Sequence, residues 1–169
     1  MKKLKIRAER QNDIKAIHEL TLKAFAPMPF SNGSEAPIID QLRNDGDLVV
    51  SRVAERNNQI IGHIAFSPVT INNENRGWYG LGPVAVDPEF QKKGVGRKLI
   101  NAGLSRIKQM DAMGCVLIGD PGYYHRFGFQ SDGRLIYGDI PSPFVQWLSF
   151  GAQKPSGILK YASAFEQHS

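Results

Sequence analysis

The chain has 169 residues, 41% of them hydrophobic and 22% charged, which is typical of a globular protein and excludes disordered, collagen-like and coiled-coil chains. Its net charge of +5 suits a polyanionic partner, and charge alone leaves nucleic acid, an acidic surface and a small phosphorylated ligand open. We expect one domain over residues 1–169, no membrane span, and a cytoplasmic location because there is one cysteine and no signal peptide.

The first third of the chain predicts one strand and two helices. Apolar and polar residues alternate over residues 3–8, which indicates a short strand. Apolar residues recur at helical spacing over 14–25, and we expect Asn12 and Asp13 to cap that helix. A proline-rich loop over 26–33 follows, and a second, shorter helix is predicted from a cap at Ser34 through Leu42.

The middle of the chain predicts an antiparallel meander. Residues 48–55 and 59–66 have strand-like patterns, and the Arg-Asn-Asn turn at 56–58 joins them into a hairpin. A second turn at 72–77 leads into a third strand, 78–86. Three successive strands joined by turns form such a meander.

The remaining elements predict a fold of the α+β class. A long amphipathic helix runs from Gly94 to about residue 113, and the apolar run 115–118 indicates a strand buried on both faces. A strand, helix and strand in succession predict a parallel pair. The remaining predicted elements are a short helix and two strands, over 121–127, 144–150 and 157–161, with 134–137 ambiguous. The sequence therefore predicts a mixed sheet flanked by helices.

A basic, glycine-bearing loop joins the third meander strand to the long helix. Its residues are Gln91, Lys92, Lys93, Gly94, Val95, Gly96 and Arg97. Free N–H groups at a helix start attract a pyrophosphate, and the glycines let the backbone approach the anion. Leu99 stands where a dinucleotide fingerprint needs glycine, and no Gly-Lys-Ser/Thr triplet makes a P-loop. Taken alone, Gly-x-Gly also fits a tight turn before an exposed basic helix.

Two motifs resemble those of the GNAT superfamily of N-acetyltransferases. Residues 91–96 resemble its Gln/Arg-x-x-Gly-x-Gly/Ala signature, and residues 123–129 resemble its Phe-Tyr-x-x-x-Gly-Phe element. Segments similar to a bacterial branch of predicted acetyltransferases are 61–68, 81–86 and 119–121. The resemblance implies a GNAT-like acyl-CoA N-acyltransferase fold, a three-layer mixed α/β arrangement. Its two central parallel strands, here 78–86 and 115–119, would splay to admit the pantetheine arm of acetyl-CoA.

The same resemblance implies roles for individual residues. Val84, Ala85 and Val86 would bind acetyl-CoA, with the backbone of Val84 and Val86 pairing with the pantetheine amides and an N–H near Val84 stabilising the oxyanion. Gln91 through Gly96 would hold the pyrophosphate, and Arg97 would also bind the cofactor. Tyr124 occupies the position of the general acid and would also contact the cofactor; without the motif it is one more aromatic packing a short helix. Asp120 fits a helix cap better than a cofactor ligand.

The predicted activity is direct transfer of an acetyl group from acetyl-CoA to a primary amine of a small molecule or peptide. The alternative is a non-catalytic module that binds acyl-CoA or RNA, although no aromatic-basic interleaving favours nucleic acid as a partner. Transfer to oxygen, or of longer acyl groups, is also compatible with the sequence. Members of the superfamily are often dimers, so the resemblance also implies a possible homodimer.

The sequence does not identify the catalytic base. Glu35, Glu55 and His63 are candidates, and each also fits an ordinary structural position, His63 as a half-buried strand residue. We expect the loop 26–33 to border the acceptor site. Cys115 lies in the buried apolar strand, where an inert thiol is expected, and no spacing of ligands predicts a metal site.

Overall fold

The computed structural model of the protein describes residues 3–168. The strands in this range are β1 (Lys5–Ala8), β2 (Val50–Arg56), β3 (Gln59–Pro68), β4 (Thr70–Ile71), β5 (Trp78–Val86), β6 (Gly114–Ile118), β7 (Leu135–Ile136), β8 (Val145–Ser149) and β9 (Gly157–Lys160). The helices are α1 (Ile14–Phe25), α2 (Glu35–Asp45), α3 (Val95–Gln109), α4 (Pro121–Tyr124) and α5 (Ser163–Gln167). The α+β class is confirmed.

Six strands form the main sheet, in the order β1-β2-β3-β5-β6-β8. The predicted meander is confirmed, because β2, β3 and β5 are successive antiparallel neighbours. Asn57 and Asn58 make its first turn with positive φ angles of 51° and 62°, as a two-residue hairpin turn requires. The predicted parallel pair is β5 and β6, and β8 closes the far edge antiparallel to β6.

One face of the main sheet packs against α3. The buried side chains of α3, among them Leu99 and Ile107, meet Phe66 of β3 and both Cys115 and Leu117 of β6 in a single apolar cluster. These side chains project from the sheet on one face because alternate strand residues point the same way. This face carries the largest part of the hydrophobic core.

The opposite face is covered in two parts. Over β2 it meets α1 and α2, where Ile17 and Ile39 pack against Val53. Over β6 it meets a second sheet of three short strands, in the order β4-β9-β7, against which Val116 packs. The strand β6 is therefore buried on both faces, as its apolar run predicts. The sequence patterns did not predict this second sheet or the helix α5.

The main sheet opens between β5 and β6. The two strands pair in parallel only over Trp78–Gly80 and Gly114–Val116. From Leu81 to Val86, β5 continues its pairing with β3 on the other side and has no partner in β6. We call the space between these unpaired ends the gap. Splayed central strands are the arrangement that the sequence resemblance implied.

Two predicted helix caps and two predicted helix ends need correction. Asp13 does not cap α1 with its side chain, because its carboxylate binds Arg7 at 2.7 Å and accepts a hydrogen bond from the Arg10 N–H. Ser34 also makes no capping bond to α2; its hydroxyl donates to the side chain of Asn32 instead. The helix α2 extends beyond Leu42 to Asp45, whereas the long helix ends at Gln109.

Candidate functional site

The loop after β5 leads directly into the N-terminus of α3. Lys92 and Gly94 adopt positive φ angles of 63° and 85°, which turn the chain sharply before the helix starts at Val95. No side chain caps this end of α3. The N–H groups of the first helical turn, those of Val95, Gly96 and Arg97, therefore lack intrahelical acceptors and point out of the helix end. Such a helix start attracts anions.

All seven residues of the predicted pyrophosphate loop line one cleft of about 680 Å³. The cleft is lined by Val86, Phe90, Gln91, Lys92, Lys93, Gly94, Val95, Gly96, Arg97, Tyr123 and Arg126. Four of these side chains are cationic and none is acidic. The cleft therefore combines free N–H groups with positive charge, which suits a polyphosphate. We call it the basic cleft.

Tyr123 and Arg126 also line this cleft, although the sequence motifs gave neither residue a role in it. The Arg126 guanidinium lies 4.6 Å from the centre of the Tyr123 ring, and its Nε donates to the Tyr123 carbonyl at 2.8 Å. These contacts hold the arginine side chain in the lining of the cleft. Both residues belong to the second motif, 123–129, and this motif could have indicated them. The Tyr123 hydroxyl lies near Gly96 at the start of α3, so the second motif meets the loop in space.

The edge of β5 that faces the gap carries free backbone groups at alternate residues. Ala85 is paired with His63 of β3, and the Asp87 N–H donates to β3 at 2.8 Å. In an antiparallel pair, successive residues direct their N–H and C=O groups alternately toward and away from the partner strand. Ala85 and Asp87 face β3, so the backbone groups of Val84 and Val86 point toward the gap. Of the three predicted residues, Ala85 directs its backbone away from the gap and its side chain toward α1.

The side chain of Gln91 links the loop to this edge. Its Nε2 donates to the carbonyl oxygen of Val86 at 3.1 Å. A carbonyl oxygen has two lone pairs, so Val86 keeps one of them for another donor in the gap. This contact holds the start of the basic loop at the end of β5. The basic cleft and the free edge of β5 therefore form one continuous site.

Tyr124 lies at the end of β6, on the α3 face of the sheet. Asp120 is the N-cap of α4, and its carboxylate accepts a hydrogen bond from the Gly122 N–H at 2.9 Å, so the predicted cap is confirmed. Burial, with a smaller effect from Tyr123, raises the pKa of the Tyr124 phenol to about 12. The phenol therefore keeps its proton at neutral pH and can donate it.

A second cavity, of about 310 Å³, lies on the opposite face of the sheet. Pro83 of β5 and Ile118 of β6 line it, so it reaches both strands that flank the gap. Glu35 also lines it, together with four aromatic side chains: Phe25, Tyr137, Tyr161 and Phe165. The predicted loop 26–33 lines a neighbouring cavity that shares Phe25 and Glu35 with this one.

The other two candidate bases lie in structural networks. Arg7 binds the Glu55 carboxylate at 3.2 Å and lowers its pKa. His63 is fully buried rather than half-buried, its Nε2 lies 2.8 Å from the Ser51 hydroxyl, and burial lowers its pKa to about 4. Cys115 is also fully buried, and burial raises the pKa of its thiol. Neither His63 nor Cys115 is accessible to a ligand.

Two further features of the described residues bear on the site. No helix within residues 3–168 is long and apolar enough to span a membrane. In the same range, no group of three or more His, Cys, Asp or Glu side chains is arranged to hold a metal ion.

Comparison with known proteins identifies the family. Residues 47–131 match the model of the acetyltransferase (GNAT) domain. The chain is 36% identical over 110 residues to the uncharacterized N-acetyltransferase YhbS of Escherichia coli, and 32% identical over 124 residues to YjhQ of the same organism. The first match covers 64% of this chain and the second 71%, and each covers 66% of the relative, just under two thirds of its length.

Two solved structures have nearly the same fold. A GNAT family acetyltransferase from Brucella melitensis, solved in complex with acetyl-CoA, is 44% identical with a TM-score of 0.88, and the match covers 98% of this chain and 99% of that one. E. coli YhbS, solved in complex with CoA, is 29% identical with a TM-score of 0.89 and matches over 98% and 93%. The chain therefore belongs to the GNAT family of acetyltransferases, and its fold is the GNAT fold.

Proposed function

We propose that this GNAT family member is an acetyl-CoA-dependent N-acetyltransferase that acts on a primary amine of a small molecule or peptide, with residues 1–169 as a single catalytic domain. The observation that carries the proposal is the gap between β5 and β6, which lies between the basic cleft on one face and the second cavity on the other. Acetyl-CoA and CoA are bound by the Brucella and E. coli relatives.

The basic cleft would hold the pyrophosphate of acetyl-CoA. The free N–H groups at the start of α3 and the side chains of Lys92, Lys93, Arg97 and Arg126 supply donors and positive charge. The pantetheine arm would enter the gap and pair with the free backbone groups of Val84 and Val86, as an added strand does. This places the thioester at the centre of the sheet, near Tyr124.

The transfer requires an amine that has lost its proton. At pH 7 a lysine-like amine with a pKa of 10.4 needs roughly 4.6 kcal/mol to become neutral, whereas an α-amine near 8 needs roughly 1.4 kcal/mol. The neutral amine would enter from the second cavity and attack the thioester carbonyl. A backbone N–H near Val84 would stabilise the oxyanion that forms.

Tyr124 would complete the reaction. As the C–S bond breaks, the phenol gives its proton to the departing thiolate and is reprotonated from solvent, while the new amide nitrogen loses its extra proton to solvent or a base. The new bond is C–N, the broken bond is C–S, and no covalent enzyme intermediate forms. The position of the ring against Gly119, directly after β6, supports this role.

Thiol release tests the proposal. Purified protein is mixed with acetyl-CoA and a panel of amines, and free CoA thiol and acetylated product are measured together. We expect Tyr124→Phe to lower kcat by about 10²- to 10⁴-fold and to change the affinity for acetyl-CoA far less, because the ring that contacts the cofactor is kept. Tyr79→Phe is the matched control, because Tyr79 lies where β5 and β6 still pair.

The alternatives give different results in the same experiments. A non-catalytic acyl-CoA-binding module would bind acetyl-CoA and release no thiol with any amine. An RNA-binding module would bind RNA with a steep dependence on salt concentration and would show no preference for acetyl-CoA. Transfer to oxygen would be recognised by an ester product.

A further inference from the structure

The second cavity has an aromatic wall held in one arrangement. The ring centres of Tyr137 and Tyr161 are 5.3 Å apart, and those of Tyr161 and Phe165 are 5.0 Å apart. A β-carbon added to Gly80, the last residue of β5 that pairs with β6, would lie 2.7 Å from Cε2 of Tyr161. The wall is therefore fixed against the start of the gap. Burial raises the pKa of Tyr137 and Tyr161, which keeps both phenols uncharged.

The charge of this cavity is opposite to that of the basic cleft. Glu35 is the one charged side chain among the described residues that line it. The Ser31 hydroxyl donates to Oε1 of Glu35 at 2.6 Å, and no lysine or arginine within residues 3–168 forms an ion pair with this carboxylate. In a chain with a net charge of +5, an uncompensated carboxylate beside aromatic rings favours a cation and disfavours an anion.

The size of the cavity limits the ligand. At about 310 Å³ it is at the lower end of ligand pockets, which span about 300–1,000 Å³. Apart from Glu35, the phenols and the backbone, its lining is apolar and includes Ile38, Leu81 and Ile118. This lining offers a polar sugar or a long polyamine few partners for its polar groups, which favours a ligand with an apolar body.

We propose that the acceptor is a small primary amine with one aromatic or apolar body and no carboxylate, bound with its ammonium group beside Glu35 and its body against Tyr137, Tyr161 and Phe165. This inference rests on the proposed N-acetyltransferase function and specifies its substrate class. Glu35 acts as a specificity-determining residue, because it selects the cationic amine before the proton is lost. The amine then lies on the face of the sheet opposite Tyr124, with the gap between them.

Four amines test the substrate class at saturating acetyl-CoA: 2-phenylethylamine, phenylalanine, putrescine and glucosamine. Each rate is measured as a function of pH, so that differences in amine pKa are separated from differences in recognition. We expect kcat/KM to be at least about tenfold higher for 2-phenylethylamine than for the others, because phenylalanine adds a carboxylate and the other two lack the apolar body.

Glu35→Gln tests the residue. It should raise KM for 2-phenylethylamine by about 10- to 100-fold, as expected for the loss of one charge-assisted hydrogen bond, and it should reduce the discrimination against phenylalanine. The affinity for acetyl-CoA should not change. Glu74→Gln is the matched control, because Glu74 is exposed on the turn before β5 and pairs with Arg76. Thermal melting of both variants checks that they fold.

Three results would overturn the inference. The amine class is wrong if phenylalanine, putrescine or glucosamine is used as well as 2-phenylethylamine, and N-acetyl transfer then stands. The role of Glu35 is wrong if Glu35→Gln changes neither KM nor the discrimination. If no amine in the panel is acetylated, the inference fails, and an acetyl-CoA binding isotherm then reports separately whether the cofactor part of the proposed function survives.

Discussion

Tyr124 packs so closely on Gly119 that a β-carbon at position 119 would lie 2.7 Å from Cε2 of the phenol ring. Gly119 follows the last residue of β6, so the absence of a side chain there is what lets the ring lie at the end of the gap. The position of the proposed general acid therefore depends on a glycine that does not itself contact a substrate.

Gly119→Ala should displace this ring. Because a shift of about 1 Å in a reacting group can cost about 10²-fold in rate, we expect kcat to fall by about that factor while the affinity for acetyl-CoA changes little. Steady-state kinetics and calorimetry measure the two quantities. Gly151→Ala is the matched control, since a β-carbon there meets no atom within 4 Å. Equal kcat in both variants would contradict the positioning role.

The pH dependence of the reaction reports the protonation state of Tyr124. A phenol must keep its proton to act as an acid, and burial raises the pKa of Tyr124 to about 12. We expect kcat/KM to rise as the acceptor amine loses its proton and to show no decrease up to about pH 10. Initial rates, corrected for uncatalysed thioester hydrolysis, give this profile. A decrease between pH 8.5 and 10 would show an acid of lower pKa.

The contact between Gly103 of α3 and Phe66 of β3 has a measurable effect on stability. A β-carbon on Gly103 would lie 2.1 Å from Cε1 of Phe66. Helix propensity alone predicts that Gly103→Ala stabilises the protein by about 1 kcal/mol, but overpacking predicts a loss of about 1–3 kcal/mol. We expect overpacking to outweigh helix propensity, so that Gly103→Ala lowers the free energy of unfolding.

A double-mutant cycle separates the two effects at this contact. Gly103→Ala combined with Phe66→Leu should be less destabilised than the sum of the two single variants, because the smaller side chain makes room for the new methyl group. Urea denaturation of the four proteins gives the coupling free energy. Additive changes would mean that the helix and the ring do not compete for space.

His63 should make stability depend on pH. Burial lowers its pKa to about 4, against 6.5 in the unfolded chain, with Glu9 opposing the shift and Arg43 adding to it. Between these two pKa values the unfolded state binds more protons than the folded state. The contribution of neutral His63 to the free energy of unfolding is therefore complete above pH 6.5 and is lost as the pH falls toward 4. The full difference is roughly 3 kcal/mol.

Thermal or urea unfolding between pH 7 and 4.5 measures this effect. We expect the free energy of unfolding to fall with decreasing pH in the wild type, and to fall less steeply in His63→Gln. The comparison uses slopes, because the substitution itself changes a buried contact with Ser51. The same slope in both proteins would assign the pH dependence to other groups.

Local patterns explain what the sequence could predict. The meander, the buried strand β6 and the basic loop all depend on hydrophobic periodicity, turn residues and a short motif within a few neighbouring residues. For the same reason, the cap at Asp120 was predicted correctly. The resemblance to a known family then supplied the splay of β5 and β6, which no periodicity encodes.

Long-range contacts explain what the sequence could not predict. The strands β4 and β7 have only two residues each, and both depend on pairing with β9, which lies far away from β4 in the chain. Asp13 has the side chain of a good helix cap, but the guanidinium of Arg7 binds its carboxylate more strongly. The second cavity is likewise lined by side chains from α1, α2 and α5 and from the ends of β7 and β9, which are far apart in the sequence.

In the proposed complex, acetyl-CoA enters along β5 with its pyrophosphate at the start of α3. The most direct measurement is a titration of isotopically labelled protein with acetyl-CoA, followed by amide NMR. We predict saturable shifts at Val84, Val86 and the loop residues 91–97, and weaker binding by pantetheine, which lacks the nucleotide and its phosphates. Shifts confined to other segments, or none with millimolar acetyl-CoA, would contradict the account.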